Sequence, residues 1–428
     1  MSDAGVEPYA ELTFDADGDP GPGGRADLAR LPVTDLLVFS HGWNNDRSTA
    51  TRLYRAFFAP FPGLLADSPA VRLGYAGVLW PSMRFSDEPV PDFDPHSAAA
   101  GPAAGDAALD GATLAALDAF WPGRRPELGR IGELLAQQPE SAEAFAEFGT
   151  LVRTLVAGTA AQAAATGAAD LPAILMEDTL GVCRDLLGAL AEAGAQDPAF
   201  AGFSVGDGLK KAWRGGKELL RQATYYEMKR RAGTVGERGL GPALAALAAQ
   251  RPGLRIHLAG HSFGARLVSY ALRGVPAHTR SVKSLTLLQG AFSHYAFADV
   301  LPHDRDRGGA LRGLAGRVDG PVVSCFSSYD AALRVFYPLA SRMAGDSASF
   351  AGFDERWGAM GHDGVQAVPG TPRLTLAQAL AGGLPGSGCV SVDAAAVVRR
   401  GGAPSGAHSD ICHAELARVI LAAGRIGH

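Results

Sequence analysis

The run Gly260-His261-Ser262-Phe263-Gly264 sets a hydroxyl between two glycines, a spacing in which serine can serve as a nucleophile. Serine is a weak nucleophile until a base takes its proton, and attack on an acyl carbonyl also needs N–H donors for the oxyanion that forms. The pentapeptide alone carries little weight, because 55 of the 428 residues are glycine. Its flanks carry more. Arg255-Ile256-His257-Leu258-Ala259 reads as a buried strand, and Ala265, Val268 and Leu272 open an apolar helical face directly afterwards. Strand, sharp turn and helix would lift Ser262 to the end of a sheet, in a strained backbone whose neighbours must be small. The helix starting near Phe263 would aim its free N–H groups and positive dipole end at the reacting atom. The Phe263 amide is therefore the first expected oxyanion donor.

Such a turn needs a sheet to stand on. Short apolar or β-branched runs bounded by turn residues occur at Leu36–Phe39, Ala76–Trp80, Arg255–Ala259, Leu285–Leu288, Val322–Phe326 and Cys389–Val392. Helical spacing separates them: Leu53, Phe57 and Phe58 after the potential cap Asp46, and Leu244 with Leu247 before Arg255. This alternation is the mark of an α/β protein with a mostly parallel central sheet flanked by helices. Tyr9–Phe14, ending at Asp15-Ala16-Asp17-Gly18-Asp19, reads as a hairpin turn leading into an antiparallel edge strand. Residues 86–208 break the alternation, with no strand pattern and abundant Ala, Gly and Pro, and read as an inserted helical cap. Its stripes Phe145, Phe148, Val152, Leu155 and Leu180, Cys183, Leu187, Leu190 read as packing faces.

The segment Leu36-Leu37-Val38-Phe39-Ser40-His41-Gly42-Trp43-Asn44-Asn45 is a strand running into a His-Gly turn, upstream of the serine turn. Together the two resemble the α/β-hydrolase superfamily, in its lipase and esterase branch. The resemblance covers the core and not the insertion. It implies an α/β-hydrolase fold with residues 1–85 and 209–428 as the two parts of the core and 86–208 as a cap or lid. It also implies that Trp43 supplies the second oxyanion amide; the plainer reading of His41 and Trp43 is a tight turn whose indole fills core space. In this superfamily the chain order is serine, acid, base. Asp330 then suits the acid, following Val322–Phe326 and preceding a helix start at Ala331-Ala332-Leu333, where a plain N-cap is the alternative and Asp299 the second choice. His408, in Gly406-Ala407-His408-Ser409-Asp410-Ile411, suits the base, with Ser409 or Asp410 capping the terminal helix and His413 inside that helix. His261 would shape the turn, and His257, His294 and His362 have no partner identifiable in the sequence.

Ser262, His408 and Asp330 would act through an acyl-enzyme with no metal or organic cofactor. Trp43, Phe263 and an apolar cap point to a carboxylic ester with an apolar acyl group. A lipase or phospholipase acting on membrane lipids, or a hydrolase-like interaction module without catalysis, are the alternatives. A formal net charge of −5 argues against a nucleic-acid partner. Lys210, Lys211, Arg214, Lys217 and Arg221 could meet anionic headgroups, but a solvated face paired with Glu218 and Glu227 is favoured. The amino-terminal residues lack a basic start and an apolar run, and no stretch reaches eighteen uninterrupted apolar residues, so a soluble cytoplasmic protein is expected. Cys183, Cys325, Cys389 and Cys412 lack metal-ligand spacing and read as reduced thiols.

Overall fold

A computed structural model describes residues 3–22, 24–43, 45–83, 85, 107–164, 173–193, 208–336, 358–402 and 405–427. The strands are β1 (Tyr9–Thr13), β2 (Asp35–Ser40), β3 (Leu73–Leu79), β4 (Arg255–His261), β5 (Val282–Leu288), β6 (Pro321–Phe326), β7 (Arg373–Thr375) and β8 (Gly388–Asp393). They form one sheet in the order β1-β3-β2-β4-β5-β6-β8-β7, and every pairing is parallel. Parallel strands must be covered on both faces, which is why the central ones are continuous apolar runs. Their side chains alternate between two cores. Leu36, Val38, Ile256, Leu258, Leu285 and Leu287 enter one; Leu37, Phe39, Ala259, Leu288, Val323 and Cys325 enter the other.

The helices divide accordingly. After α1 (Gly24–Arg30), helices α2 (Arg47–Phe58) and α3 (Pro60–Leu64) follow β2, and Leu53, Phe57 and Phe61 fill the second core. Asp46 caps α2 as the sequence predicts, its side chain accepting from the Thr49 amide. Between β3 and β4 the described elements are helical: α4 (Gly111–Phe120), α5 (Arg125–Gln137), α6 (Ala142–Ala164), a 3₁₀ turn (Ala173–Met176), α7 (Thr179–Ala193) and α8 (Gly208–Thr234). A π-turn at Val235–Leu240 joins α8 to α9 (Gly241–Gln250). Helix α10 (Phe263–Gly274) follows β4, and α11 (Ala414–Gly424) closes the chain against the second core.

The inserted helices pack on the first core, where Phe145, Phe148, Val152 and Leu155 are fully buried. In α7 the buried face is instead Val182, Cys183 and Leu186, with Leu180, Leu187 and Leu190 only half covered. The charged stretch of α8 matches the predicted solvated face only in part: Lys210 is exposed and Arg221 pairs with Glu218, while other charged residues of the helix are enclosed. Lys217 is buried and donates to the Ala108 carbonyl, and Arg231 and Arg230 both pair with a fully buried Glu227. Among the described residues no helix is long and apolar enough to cross a membrane.

Tyr9–Phe14 is corrected in direction. The Asp15–Asp19 turn forms, Asp15 accepting from the Asp17 and Asp19 amides, but it closes only a single antiparallel bridge, Phe14 to Pro20. The bridge is made by the Gly21 and Asp15 amides and goes no further, and β1 instead pairs in parallel with β3 from Tyr9↔Tyr75 to Thr13↔Leu79. Strand β7 escapes a reading by pattern because Arg-Leu-Thr is too short and too polar to stand out.

Candidate functional site

Strands β2 and β4 are neighbours, yet the chain leaves them in opposite directions: α2 covers the second core and α10 the first. The loops after β2 and β4 therefore part around a crevice at the carboxyl edge of the sheet, the place where open parallel sheets bind ligands. Both expected motifs open into it.

Ser262 sits on the turn between β4 and α10 at φ 56° and ψ −121°. This left-handed conformation is strained for any residue with a Cβ. It is held from both sides. The Ser262 amide donates to the Leu288 carbonyl at 3.1 Å, and its carbonyl accepts from Ala265 at 3.1 Å and Ala291 at 3.2 Å. Gly264 lets α10 close on the end of β2, since a Cβ there would lie 2.1 Å from the Ser40 carbonyl oxygen. Gly42 presses on the serine in the same way: a Cβ on it would lie 2.6 Å from Ser262 Cβ and 3.2 Å from Oγ.

The structure brings Ser262, His408 and Asp330 into one hydrogen-bonded chain. His408 Nε2 is 2.9 Å from Ser262 Oγ, and His408 Nδ1 is 2.7 Å from Asp330 Oδ2. An ionised carboxylate only accepts, so Nδ1 carries the imidazole proton and Nε2 offers its lone pair to the serine hydroxyl. Asp330 also performs the alternative role foreseen for it, because its Oδ1 accepts from the Leu333 amide at 3.0 Å. The carboxylate is fully buried and Ser262 nearly so, while His408 remains 15% exposed at the rim. Three further hydrogen bonds fix the histidine loop. His261 Nε2 donates to the His408 carbonyl at 2.7 Å, and Asp410 Oδ2 accepts from the Arg399 and Arg400 amides. Asp410 does not cap α11; His413 occupies the N-cap position, outside the helix, and its ring pairs with Asp410.

No family model, curated protein or solved structure matches this chain.

The amides of Trp43 and Phe263 have no hydrogen-bond partner among the described residues, which leaves both donors available. Tyr225 of α8, which no sequence signal marked, lies between their side chains, its ring 5.8 Å from Trp43 and 4.7 Å from Phe263. His41 is stacked on Trp80 and buried, which pushes its imidazole down to about 4, partly offset by its bond to the Gly42 carbonyl. Burial and the neighbouring His408 push His261 down to about 3. Both rings are therefore neutral at ordinary pH and cannot act as proton carriers there.

Other candidates lie apart from the serine. Asp299 is exposed and pairs with Arg312. His294 and His362 both contact Asp363, whose carboxyl is held low because those bonds outweigh the opposing effect of burial. His257 forms a second chain of the same three residue types: Nε2 to Asp35 Oδ1 at 3.0 Å, and Nδ1 to Ser284 Oγ at 3.0 Å. That chain crosses β2, β4 and β5 within the sheet, fully covered, at the point where the β4–β5 register shifts between Ile256 and His257. Among the described residues no group of three or more His, Cys, Asp or Glu side chains could hold a metal ion.

Proposed function

We propose that this chain is a serine hydrolase of the α/β-hydrolase type that cleaves carboxylic esters through an acyl-enzyme. The observation that carries the reading is the Ser262–His408–Asp330 chain, with its serine on a strained turn at the carboxyl edge of a parallel sheet. In the first half-reaction His408 Nε2 takes the Ser262 proton as Oγ attacks the acyl carbonyl. Asp330 stabilises the imidazolium, which then returns the proton to the departing alkoxide. The oxyanion is met by the Phe263 and Trp43 amides. Water, activated by the same histidine, releases the acid and restores the serine.

An apolar acyl group fits the aromatic surround of Trp43, Tyr225 and Phe263. The helices between β3 and β4 would act as the cap over it.

The test is labelling by a fluorophosphonate probe, followed by hydrolysis of short- and long-chain soluble esters and of phospholipid vesicles. Wild type is expected to label stoichiometrically and Ser262→Ala not at all. Equal labelling of the two would end the proposal. Preference for vesicles over soluble esters would move the substrate class to membrane lipids.

A further inference from the structure

The peptide joining Gly42 to Trp43 is clamped through its oxygen. The Gly42 carbonyl accepts from His41 Nδ1 at 2.8 Å and from Asn45 Nδ2 at 3.2 Å, and the same Asn45 nitrogen donates to the Trp43 carbonyl at 2.8 Å. The amide orientation of Asn45 is chemically determined, since a carbonyl oxygen between two other carbonyls would only repel. Its Oδ1 is left buried with no hydrogen-bond partner among the described residues. Asn45 is itself anchored. Its backbone N–H donates to Ser82 Oγ at 3.4 Å, and the next residue, Asp46, caps α2.

A trans peptide is planar, with its N–H opposed to its C=O. Fixing the Gly42 oxygen toward Asn45 and His41 therefore directs the Trp43 N–H away from them. The flanking Gly42 already touches Ser262, and the Trp43 amide is unpaired among the described residues. A buried side chain that leaves its own oxygen unpaired while holding two backbone carbonyls is costly for stability alone. It is what a preorganised donor requires, because an oxyanion hole gains most when no dipole must reorient during the reaction.

We infer that Asn45 is a positioning residue of the oxyanion hole: its side-chain amide, assisted by His41, locks the Gly42–Trp43 peptide so that the Trp43 N–H faces the Ser262 side before substrate binds. The inference rests on the reading of Ser262 as an acyl-attacking nucleophile.

Asn45→Asp is the sharpest variant, replacing the clamping nitrogen by an isosteric oxygen, with Asn45→Ala beside it. Active sites are counted by fluorophosphonate titration, so that misfolded protein is excluded from every rate. In Asn45→Asp, kcat per active site is expected to fall about 10- to 100-fold with KM within about threefold. Inhibition by an alkyl trifluoromethyl ketone, whose adduct with serine carries an oxyanion, should weaken by a similar factor. In the uncharged Asn45→Ala variant the pH profile of kcat/KM should keep its position, because no charge is added and Asp330 and His408 are untouched. His41→Asn, which keeps a donor near the Nδ1 position, should retain more activity per site than His41→Phe.

Asn45→Asp with kcat and ketone affinity both within about threefold of wild type would overturn the inference. If neither Asn45 variant accumulates as folded protein, the His41 pair decides on the same readouts, and equal rates in that pair would overturn it. Failure of wild type itself to react with the fluorophosphonate would instead remove the serine-hydrolase reading on which the inference stands.

Discussion

Asp330 holds His408 with one oxygen and caps the turn at Leu333 with the other, so its two roles separate by substitution. Asn retains an acceptor for the cap but can donate to Nδ1, which reverses the tautomer. Asp330→Asn is expected to lower kcat roughly 10⁴-fold while shifting the melting temperature little. Asp330→Ala should lose activity to a comparable extent and about 1 kcal/mol of stability as well. Steady-state kinetics with thermal unfolding separates the two; an active Asn variant would remove Asp330 from the mechanism. Ser262 carries the local strain, and Gly42 meets it where no Cβ fits. The sequence marks Ser262, His408 and Asp330 by residue type and order, but says nothing of Asn45 or Tyr225. Asn45 acts through a side chain folded back on its own loop, and Tyr225 arrives from a helix remote in sequence.

At the scale of elements, the same three residue types have different meanings in different places. Asp35, His257 and Ser284 are hydrogen-bonded like the candidate triad, but they lie on paired strands inside the sheet rather than at its carboxyl edge. Their buried chain ties β2, β4 and β5 together. Ser262 differs because β4 ends beneath it and α10 begins beyond it. That junction depends on Gly264, whose Cα faces the end of β2 with no room for a methyl group. Gly264→Ala is expected to cost about 1–3 kcal/mol and most of the proposed esterase activity, by pushing α10 off the His41 loop. Gly253→Ala, where an added Cβ would meet nothing within 4 Å, should fall within about 0.5 kcal/mol of wild type in the same unfolding assay. Equal behaviour of the two would show that the junction tolerates expansion. The six inner strands are legible because burial on both faces demands apolar runs; β7 and the direction of β1 are not, because both depend on the partner beside them.

For the whole molecule, the buried histidines predict an acid-sensitive fold. Burial lowers His41 to about 4 and His261 to about 3, and also lowers His257, whose bond to Asp35 opposes the shift only in part. In the unfolded chain these imidazoles titrate near ~6.5, so below that pH the unfolded state binds more protons than the native state and stability falls. Each group contributes up to about 1.4 kcal/mol per pH unit in its window, and the lowered carboxyls of Asp35 and Asp410 add to the loss only below about pH 4. The melting temperature should therefore decline between about pH 6.5 and about pH 5, before any carboxylate effect, and a flat profile there would contradict the burial of these rings. What the sequence determined by itself is the alternation of buried strands and helices, the serine turn, and the supply of an acid and a base in a workable order. Local patterns record these because each depends on a few neighbouring residues. Only the tertiary structure decided that Asp330 and His408, rather than Asp299 and His413, reach the serine, that His257 is enclosed within the sheet, and that Lys217, Glu227 and Arg231 of α8 are buried. Those outcomes depend on which strand ends share an edge and which helix covers each face, a matter of long-range packing that no local spacing records.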